Sequence, residues 1–108
     1  MSKMKTEKTF GDTVKKLREE RNMPLREVAE ALEIDTSMLG KIEKNSRKPS
    51  KQIIEKFAKF FKVSVKDLTI AFVSDTVAYQ LMSEKNISNE VLKVAEKKVK
   101  YLKRKKTS

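Results

Sequence analysis

The chain has 108 residues, 38% of them hydrophobic, and this length allows one small hydrophobic core but not two ordinary domains. It contains no Cys and no His, which excludes disulfide frameworks, Cys/His zinc sites and acid–base catalysis by histidine. Only two Gly and two Pro are present, and this favours helices over sheet or disorder. No apolar run follows the basic N-terminus, so we expect no signal peptide. The longest apolar stretches are much shorter than a membrane-spanning helix, so we expect no membrane anchor.

The net charge of +11 is the strongest compositional signal. Lys and Arg number 26, against 15 Asp and Glu. A basic balance of this size favours polyanionic partners, of which nucleic acid is the commonest. A soluble, lysine-rich surface has the same composition, so the charge alone does not separate the two interpretations.

The first predicted helix covers residues 10–21 and follows a flexible basic arm at residues 1–8. Thr9 followed by Asp12 resembles a capping box, which marks the start of a helix. The residues predicted to face the core recur at helical spacing: Phe10, Val14, Leu17 and the aliphatic stem of Arg21.

Two short helices separated by a tight turn are predicted next, at residues 24–32 and 36–44. Each has apolar residues at i, i+3 and i+4, which is typical of a helix with one buried face: Leu25, Val28, Ala29 and Leu32, then Met38, Leu39 and Ile42. Asp35 is placed to cap the second of these helices with its side chain, and Asn45 suits a left-handed residue after its end. The opposite face of that helix has small hydrogen-bonding and basic residues, a combination that suits the DNA major groove.

The remaining predicted helices form the end of a core domain and an extension. Ser50 is predicted to cap a helix that reaches residue 62, and Ser64 with Asp67 opens the next one. Residues 75–82 either continue that helix or follow a bend near Ser74. The last helix, residues 89–104 with Ser88 as its cap, has apolar residues at nearly heptad spacing: Val91, Leu92, Ala95, Val99 and Leu102. A frayed basic tail is predicted at residues 105–108.

From residue 10 to residue 68 the chain resembles the helix-turn-helix regulators of the phage-repressor class, which are Cro-like and XRE-type. The resemblance is carried by Arg18, by Ala29, and by the stretch I-E-K-N-x-R-K-P at residues 42–49. It implies an all-α fold, with a five-helix DNA-binding domain at residues 9–73 and a helical extension at residues 74–104. That arrangement is similar to the longer controller proteins of restriction–modification systems.

The chain departs from this class at two positions. Leu25 stands where many relatives have a polar Gln that binds phosphate, and Glu33 stands in a turn where relatives favour Gly. Arg26 is a candidate to replace the missing phosphate contact.

The resemblance also implies roles for individual residues. Arg18 pairs with Glu43 in a structural ion pair. The residues expected to read base edges are Thr36, Ser37, Gly40 and Lys41. The residues expected to bind DNA phosphates are Arg26, Lys44, Ser46, Arg47, Lys48 and Lys51.

A homodimer is expected, because two copies spaced one helical turn apart on DNA double the short footprint of one recognition helix and select a palindromic operator. The residues expected at the dimer interface are Val77, Leu81, Val91, Leu92, Ala95, Val99 and Leu102. In the alternative arrangement the last helix folds back and completes the core of its own monomer. The predicted function is sequence-specific transcriptional regulation, as a repressor or autoregulator, in the cytoplasm on the nucleoid.

A second hypothesis is an antitoxin that binds its own promoter and masks a toxin, a protein partner, with its C-terminal helices. Enzymatic activity is not expected, because the Ser and Thr nucleophiles have no His to act as a base. No catalytic residue, metal site or cofactor is predicted.

Overall fold

Residues 8–84 and 86–107 are described by the computed structural model, and within them the chain forms six α-helices and no strand. The helices are α1 (Phe10–Glu20), α2 (Leu25–Leu32), α3 (Thr36–Glu43), α4 (Lys51–Phe61), α5 (Val65–Met82) and α6 (Ser88–Thr107). The all-α prediction is therefore confirmed. The predicted basic arm, apart from Lys8, and the last residue of the predicted tail lie outside the described residues.

The chain divides into two compact units, Met1–Asp75 and Thr76–Ser108. In the first unit, α3 packs against α1 and α2, and α2 also packs against α4. The ring of Phe10 meets the rings of Phe57 and Phe72 edge-on, each with a centroid distance of 6.0 Å. The side chains that are fully buried in this core include Phe10, Val14, Val28, Leu32, Leu39, Ile42, Phe57, Phe61 and Leu68. Burial of each such side chain contributes about 1.5–3 kcal/mol to folding.

Three predicted helix starts are confirmed by side-chain caps. The hydroxyls of Thr9, Ser50 and Ser64 accept hydrogen bonds from backbone amides three residues ahead, at 3.2, 3.1 and 3.2 Å. The cap predicted for α3 is wrong in its chemistry. Asp35 precedes α3 in an extended conformation, but its side chain makes no capping hydrogen bond.

Within residues 8–84 and 86–107, four residues other than glycine adopt positive φ, and they lie where one helix must end before the next begins. They are Asn22, Glu33, Asn45 and Lys62. The left-handed conformation predicted for Asn45 is confirmed, at φ 63. Glu33 is left-handed as well, at φ 58, which gives the physical reason why Gly is favoured in that turn.

Arg21 is an exposed residue, so it is not part of the buried stripe of α1. Its guanidinium carbon lies 4.9 Å from the centre of the Phe61 ring, and its Nη2 donates a hydrogen bond of 2.6 Å to the Phe61 carbonyl. A cation at the C-terminus of α4 is favoured by the helix dipole, and the ring adds a cation–π contact. Arg21 therefore links the end of α1 to the end of α4 through contacts at the protein surface.

The second unit contains the last residues of α5 and all of α6. Helix α5 is continuous through Ser74, so the sequence alternative without a bend is the one observed. The predicted cap at Ser88 is wrong: Ser88 is the first residue of α6, and its hydroxyl donates to the carbonyls of Leu81 and Glu84 at 3.1 and 3.0 Å. The described part of α6 has no buried residue and extends beyond the predicted end at Arg104. In the described part of the chain, no helix has the length and apolar character needed to cross a membrane.

Candidate nucleic-acid interface

Helix α3 has a polar face on its outer side because its apolar residues all lie on the side that packs against the core. Leu39 and Ile42 are 0% and 1% exposed, and Met38 is half-buried against the same core. At 100° per residue, the polar residues occupy the opposite arc of the helix. They are Thr36, Ser37, Gly40, Lys41 and Lys44, and all are exposed except Gly40, which is half-buried. The structure thus brings the four predicted base-reading residues onto one outward face.

An ion pair fixes α3 against α1. Arg18 Nε and Nη2 donate to the two carboxylate oxygens of Glu43 at 2.8 and 3.0 Å. The side chains are only 13% and 5% exposed, and Arg18 Nη1 also donates to the Met23 carbonyl at 2.8 Å. The hydrogen bonds with Glu43 raise the pKa of Arg18 above its ordinary value, although burial opposes this. The guanidinium therefore joins α1, α3 and the turn before α2 in one charged contact.

The end of α3 is closed by its own backbone and by Ser46. The Asn45 amide donates to the Ile42 carbonyl at 3.0 Å, and the Ser46 amide donates to the Lys41 carbonyl at 2.9 Å, as in a Schellman motif. The Ser46 hydroxyl donates to the same Lys41 carbonyl at 3.2 Å. This hydroxyl already donates within the chain, so Ser46 stabilises the end of α3. If the hydroxyl donated to a DNA phosphate instead, the bond to Lys41 would have to break.

The Asn45 side chain links the end of α3 to the start of α1. Its Oδ1 accepts from the Gly11 amide at 2.9 Å, and its Nδ2 donates to the Thr9 hydroxyl at 2.8 Å. Gly11 lies so close to the end of α3 that an added Cβ would sit 2.7 Å from the Ile42 carbonyl oxygen and closer still to that of Glu43. The sequence interpretation missed this contact, although a glycine inside a helix next to its start was an available signal.

Asp75 completes the capping of α1. Its Oδ2 accepts a hydrogen bond from the Phe10 amide at 2.7 Å. The Asn45 side chain accepts one from the Gly11 amide, and the Thr9 hydroxyl accepts one from the Asp12 amide. The first three amides of a helix have no partner within the helix, and here each finds a different side chain. The orientation of α1, and through it of α3, therefore depends on residues from three parts of the chain.

The predicted phosphate-binding residues are exposed, and most lie between the end of α3 and the start of α4. Lys44, Arg47 and Lys48 follow α3 directly, and Lys51 is the first residue of α4. The first turn of α4 has no acidic residue, so its amides and Lys51 together present positive charge. Arg26 lies on the first turn of α2, away from this segment in sequence, and makes no hydrogen bond or ion pair with the described residues.

None of the apolar residues predicted at a dimer interface is buried in this single chain. In the second unit, Leu81 is half-buried and the others lie open to solvent, with exposures that reach 60% at Leu102. Two exposed apolar residues of α5, Ile70 and Val73, precede this group, at 47% and 50%. The sequence interpretation gave neither residue a role.

A family comparison agrees with this geometry. A family model described as Helix-turn-helix matches residues 14–68, slightly over half of the chain. The chain belongs to the helix-turn-helix family. The resemblance that the sequence indicated is confirmed, and this helix-turn-helix protein is a DNA-binding transcription regulator.

A solved structure extends the likeness beyond the matched residues. A chain from the complex of the SinR protein with the SinI protein is 26% identical to the helix-turn-helix protein, with a TM-score of 0.52. The match covers 93% of the present chain and 100% of the other. A search of curated proteins finds no significant match.

Proposed function

We propose that this helix-turn-helix regulator binds a palindromic operator as a homodimer and represses transcription from the promoter that contains the operator. The observation that carries the proposal is the outward face of α3, held in place by the buried pair of Arg18 and Glu43. A fixed helix with small polar and basic side chains can enter the major groove and bring several base edges within hydrogen-bond reach.

Each residue of that face has a chemical role in the proposal. The Lys41 ammonium donates to O6 and N7 of guanine, and the hydroxyls of Thr36 and Ser37 donate to or accept from base edges. Gly40 allows the helix backbone to approach the duplex. This role is supported by the space around it, because an added Cβ would meet no atom of the chain within 4 Å, so the fold itself does not require glycine there.

Phosphate contacts surround the base-reading face. Lys44, Arg47, Lys48 and Lys51 supply positive charge on one side of α3, and Arg26 supplies it from α2. About four phosphate contacts per monomer from these residues alone contribute about −7 to the log–log slope of the salt dependence of dimer binding. The steep dependence distinguishes a phosphate-anchored complex from one that rests on apolar contact.

The exposed apolar residues of the second unit support the dimer. On α6 they form an apolar seam, defined here as Val91, Leu92, Ala95, Val99 and Leu102, and none of these is buried within the chain. A second copy that packs on this seam removes apolar surface from water, at a gain of about 25 cal/mol per Å². Two recognition helices then read two half-sites, and polymerase is excluded from the promoter that the dimer occupies.

A second candidate function uses the same surface for a different protein. The likeness to a chain from a complex of two proteins favours a protein partner, and the exposed C-terminal helices offer it an apolar surface, as in an antitoxin that masks a toxin. Light scattering separates the two functions. A dimer at micromolar concentration supports the first, and a monomer that binds only half-sites supports the second.

The test is selection of duplexes from a random pool by the full chain, followed by fluorescence anisotropy on the selected and a scrambled duplex. We expect a palindromic consensus and a preference for it of at least about a thousandfold.

Lys41→Ala should weaken binding to the selected duplex by about tenfold or more, because a base contact is lost. Lys59→Ala removes an equal charge from an exposed position on α4 and serves as the control. Equal effects of the two variants would overturn the base-reading role.

A further inference from the structure

Helix α6 carries a row of cations on the side opposite to the apolar seam. The row consists of Lys93, Lys97, Lys100 and Arg104, and it is called the basic stripe below. Successive members are four, three and four residues apart, which keeps them on one face of an α-helix over about 16 Å. At 100° per residue, this face lies about half a turn from the seam. All four residues are exposed.

The acids of α6 form no ion pair with the lysines of the basic stripe. Glu90 and Glu96 lie three or four residues from Lys93 and Lys100, but among the described residues no carboxylate is within ion-pair distance of Lys93, Lys97 or Lys100. No Asp or Glu follows Glu96 in the sequence. Like charges three and four residues apart repel and weaken a helix. The attraction between the helix dipole and cations in the last turn explains Arg104 but not the lysines in the middle of α6. A bound polyanion offsets this repulsion.

We propose that the basic stripe binds the sugar–phosphate backbone of DNA and forms a second, sequence-independent contact in addition to that of α3. This inference rests on the proposed function, which places the protein on DNA. If the seam is covered by a second copy, the stripe remains exposed on the opposite face of each α6. Four cations over about 16 Å are close to the charge of one DNA strand, which has one phosphate per about 3.4 Å of axis, or about five over this length.

A membrane surface is a less suitable ligand. An interfacial helix buries its apolar face among the acyl chains, and that face carries large side chains such as Trp, Phe and Leu. The seam of α6 has Leu but neither Trp nor Phe, and in the proposed dimer a second copy covers it. With that seam in the bilayer, the basic stripe points to water and away from the lipid phosphates. DNA needs no such insertion and is contacted by the stripe directly.

The experiment measures the salt dependence of full-length protein on the selected duplex and on a scrambled duplex of equal length. The test variant carries Lys93→Gln, Lys97→Gln and Lys100→Gln. The control carries Lys98→Gln, Lys103→Gln and Lys105→Gln, which remove the same charge from the same helix outside the stripe. A third variant with Lys93→Arg, Lys97→Arg and Lys100→Arg retains the stripe charge. Gln and Arg have nearly the helix propensity of Lys, and circular dichroism and light scattering verify folding and assembly.

The test variant should reduce the magnitude of the salt slope by about 2.7 per bound chain, on both duplexes alike, because each lost phosphate contact accounts for about 0.9. Its affinity should fall by about tenfold or more at low salt, and the Arg variant should bind as the wild type does. Equal effects of test and control variants, or no effect, would overturn the inference. Impaired binding to phosphatidylcholine–phosphatidylglycerol vesicles without a change on DNA would also overturn it. If the wild type shows no preference for the selected duplex but the test variant still lowers the slope, the proposed function fails and the stripe contact stands.

Discussion

The side chain of Asn45 accepts a hydrogen bond of 2.9 Å from the backbone amide of Gly11, so the residue that follows the end of α3 also caps α1. Asn45 is left-handed at φ 63, a conformation that Asn tolerates better than most residues because of its short polar side chain. One residue therefore sets both the exit of the chain from α3 and the distance between α3 and α1. A change at either partner should move the DNA-binding face.

Gly11→Ala should destabilise the protein by about 1–3 kcal/mol, because backbone atoms must move to admit the methyl group. The new Cβ would lie 2.7 Å from Asn45 Oδ1 and 2.7 Å from the Ile42 carbonyl oxygen. Urea unfolding followed by circular dichroism measures the loss. Gly40→Ala is the matched control, since its Cβ meets no atom within 4 Å, and it should be stabilising. Equal shifts at the two glycines would contradict the close approach of α1 to α3.

Asn45→Gly and Asn45→Ala separate the hydrogen bonds of Asn45 from its backbone conformation. Both variants remove the bonds to Gly11 and Thr9, which should cost about 1–3 kcal/mol through the unpaired Gly11 amide. Only Ala adds the strain of the left-handed region, about 1 kcal/mol more. Thermal unfolding of both variants measures the difference. If the two variants are equally stable, the positive φ contributes no strain at this position.

Glu43→Gln should cost about 2–4 kcal/mol, because the Arg18 guanidinium is left with no counter-charge in a site where it is only 13% exposed. Glu33→Gln is the control: its carboxylate lies 4.0 Å from Lys56 but is 82% exposed, so the change should stay within about 0.5 kcal/mol. Chemical unfolding of both variants tests the contrast. Similar losses would show that burial does not strengthen the Arg18–Glu43 pair.

The pH dependence of that loss follows from the raised pKa of Arg18. A group whose pKa is raised by folding contributes its full stability below its ordinary pKa and loses it only as the pH rises past the raised value. For an arginine both pKa values lie far above neutral pH. The gap in stability between wild type and Glu43→Gln should therefore remain constant from neutral pH to about pH 10. A gap that closes in this range would contradict a charged Arg18.

Local patterns were enough to predict most of the fold. The caps at Thr9, Ser50 and Ser64 lie three residues from the amides that they bind, so a short stretch of sequence contains both partners. The periodicity of apolar residues likewise predicted which face of α3 points outward. The cap at Asp35 failed because the same short pattern is compatible with a side chain that turns to solvent.

Contacts between residues that are far apart in the sequence could not be predicted from such local patterns. Asp75 lies 65 residues from the Phe10 amide that it binds, and Asn45 lies 34 residues from Gly11. Nothing in a local window distinguishes these side chains from ordinary surface residues. The Arg18–Glu43 pair, 25 residues apart, was expected only from the resemblance to known regulators. The roles of the base-reading, phosphate-binding and interface residues stay predictions, because they depend on partners outside the chain.

Asp75→Ala should destabilise the first unit by about 1–3 kcal/mol, because the Phe10 amide would lose its acceptor at the buried start of α1. Asp75→Asn retains an oxygen acceptor and loses only the attraction between a carboxylate and the helix N-terminus, about 0.3–1 kcal/mol. Hydrogen exchange at the Phe10 amide is the direct measurement. Unchanged protection in Asp75→Ala would show that this amide does not depend on Asp75.

Gly40→Ala should improve folding and impair DNA binding at the same time. Alanine in place of glycine inside a helix adds up to about 1 kcal/mol of stability, and the methyl group has free space within the chain. On the DNA the same methyl group would stand between the α3 backbone and the duplex, and affinity for the selected operator should fall about tenfold, or 1.4 kcal/mol. Anisotropy at one salt concentration measures the affinity, and urea unfolding measures the stability. A more stable variant with unchanged operator affinity would show that α3 does not approach the duplex at Gly40.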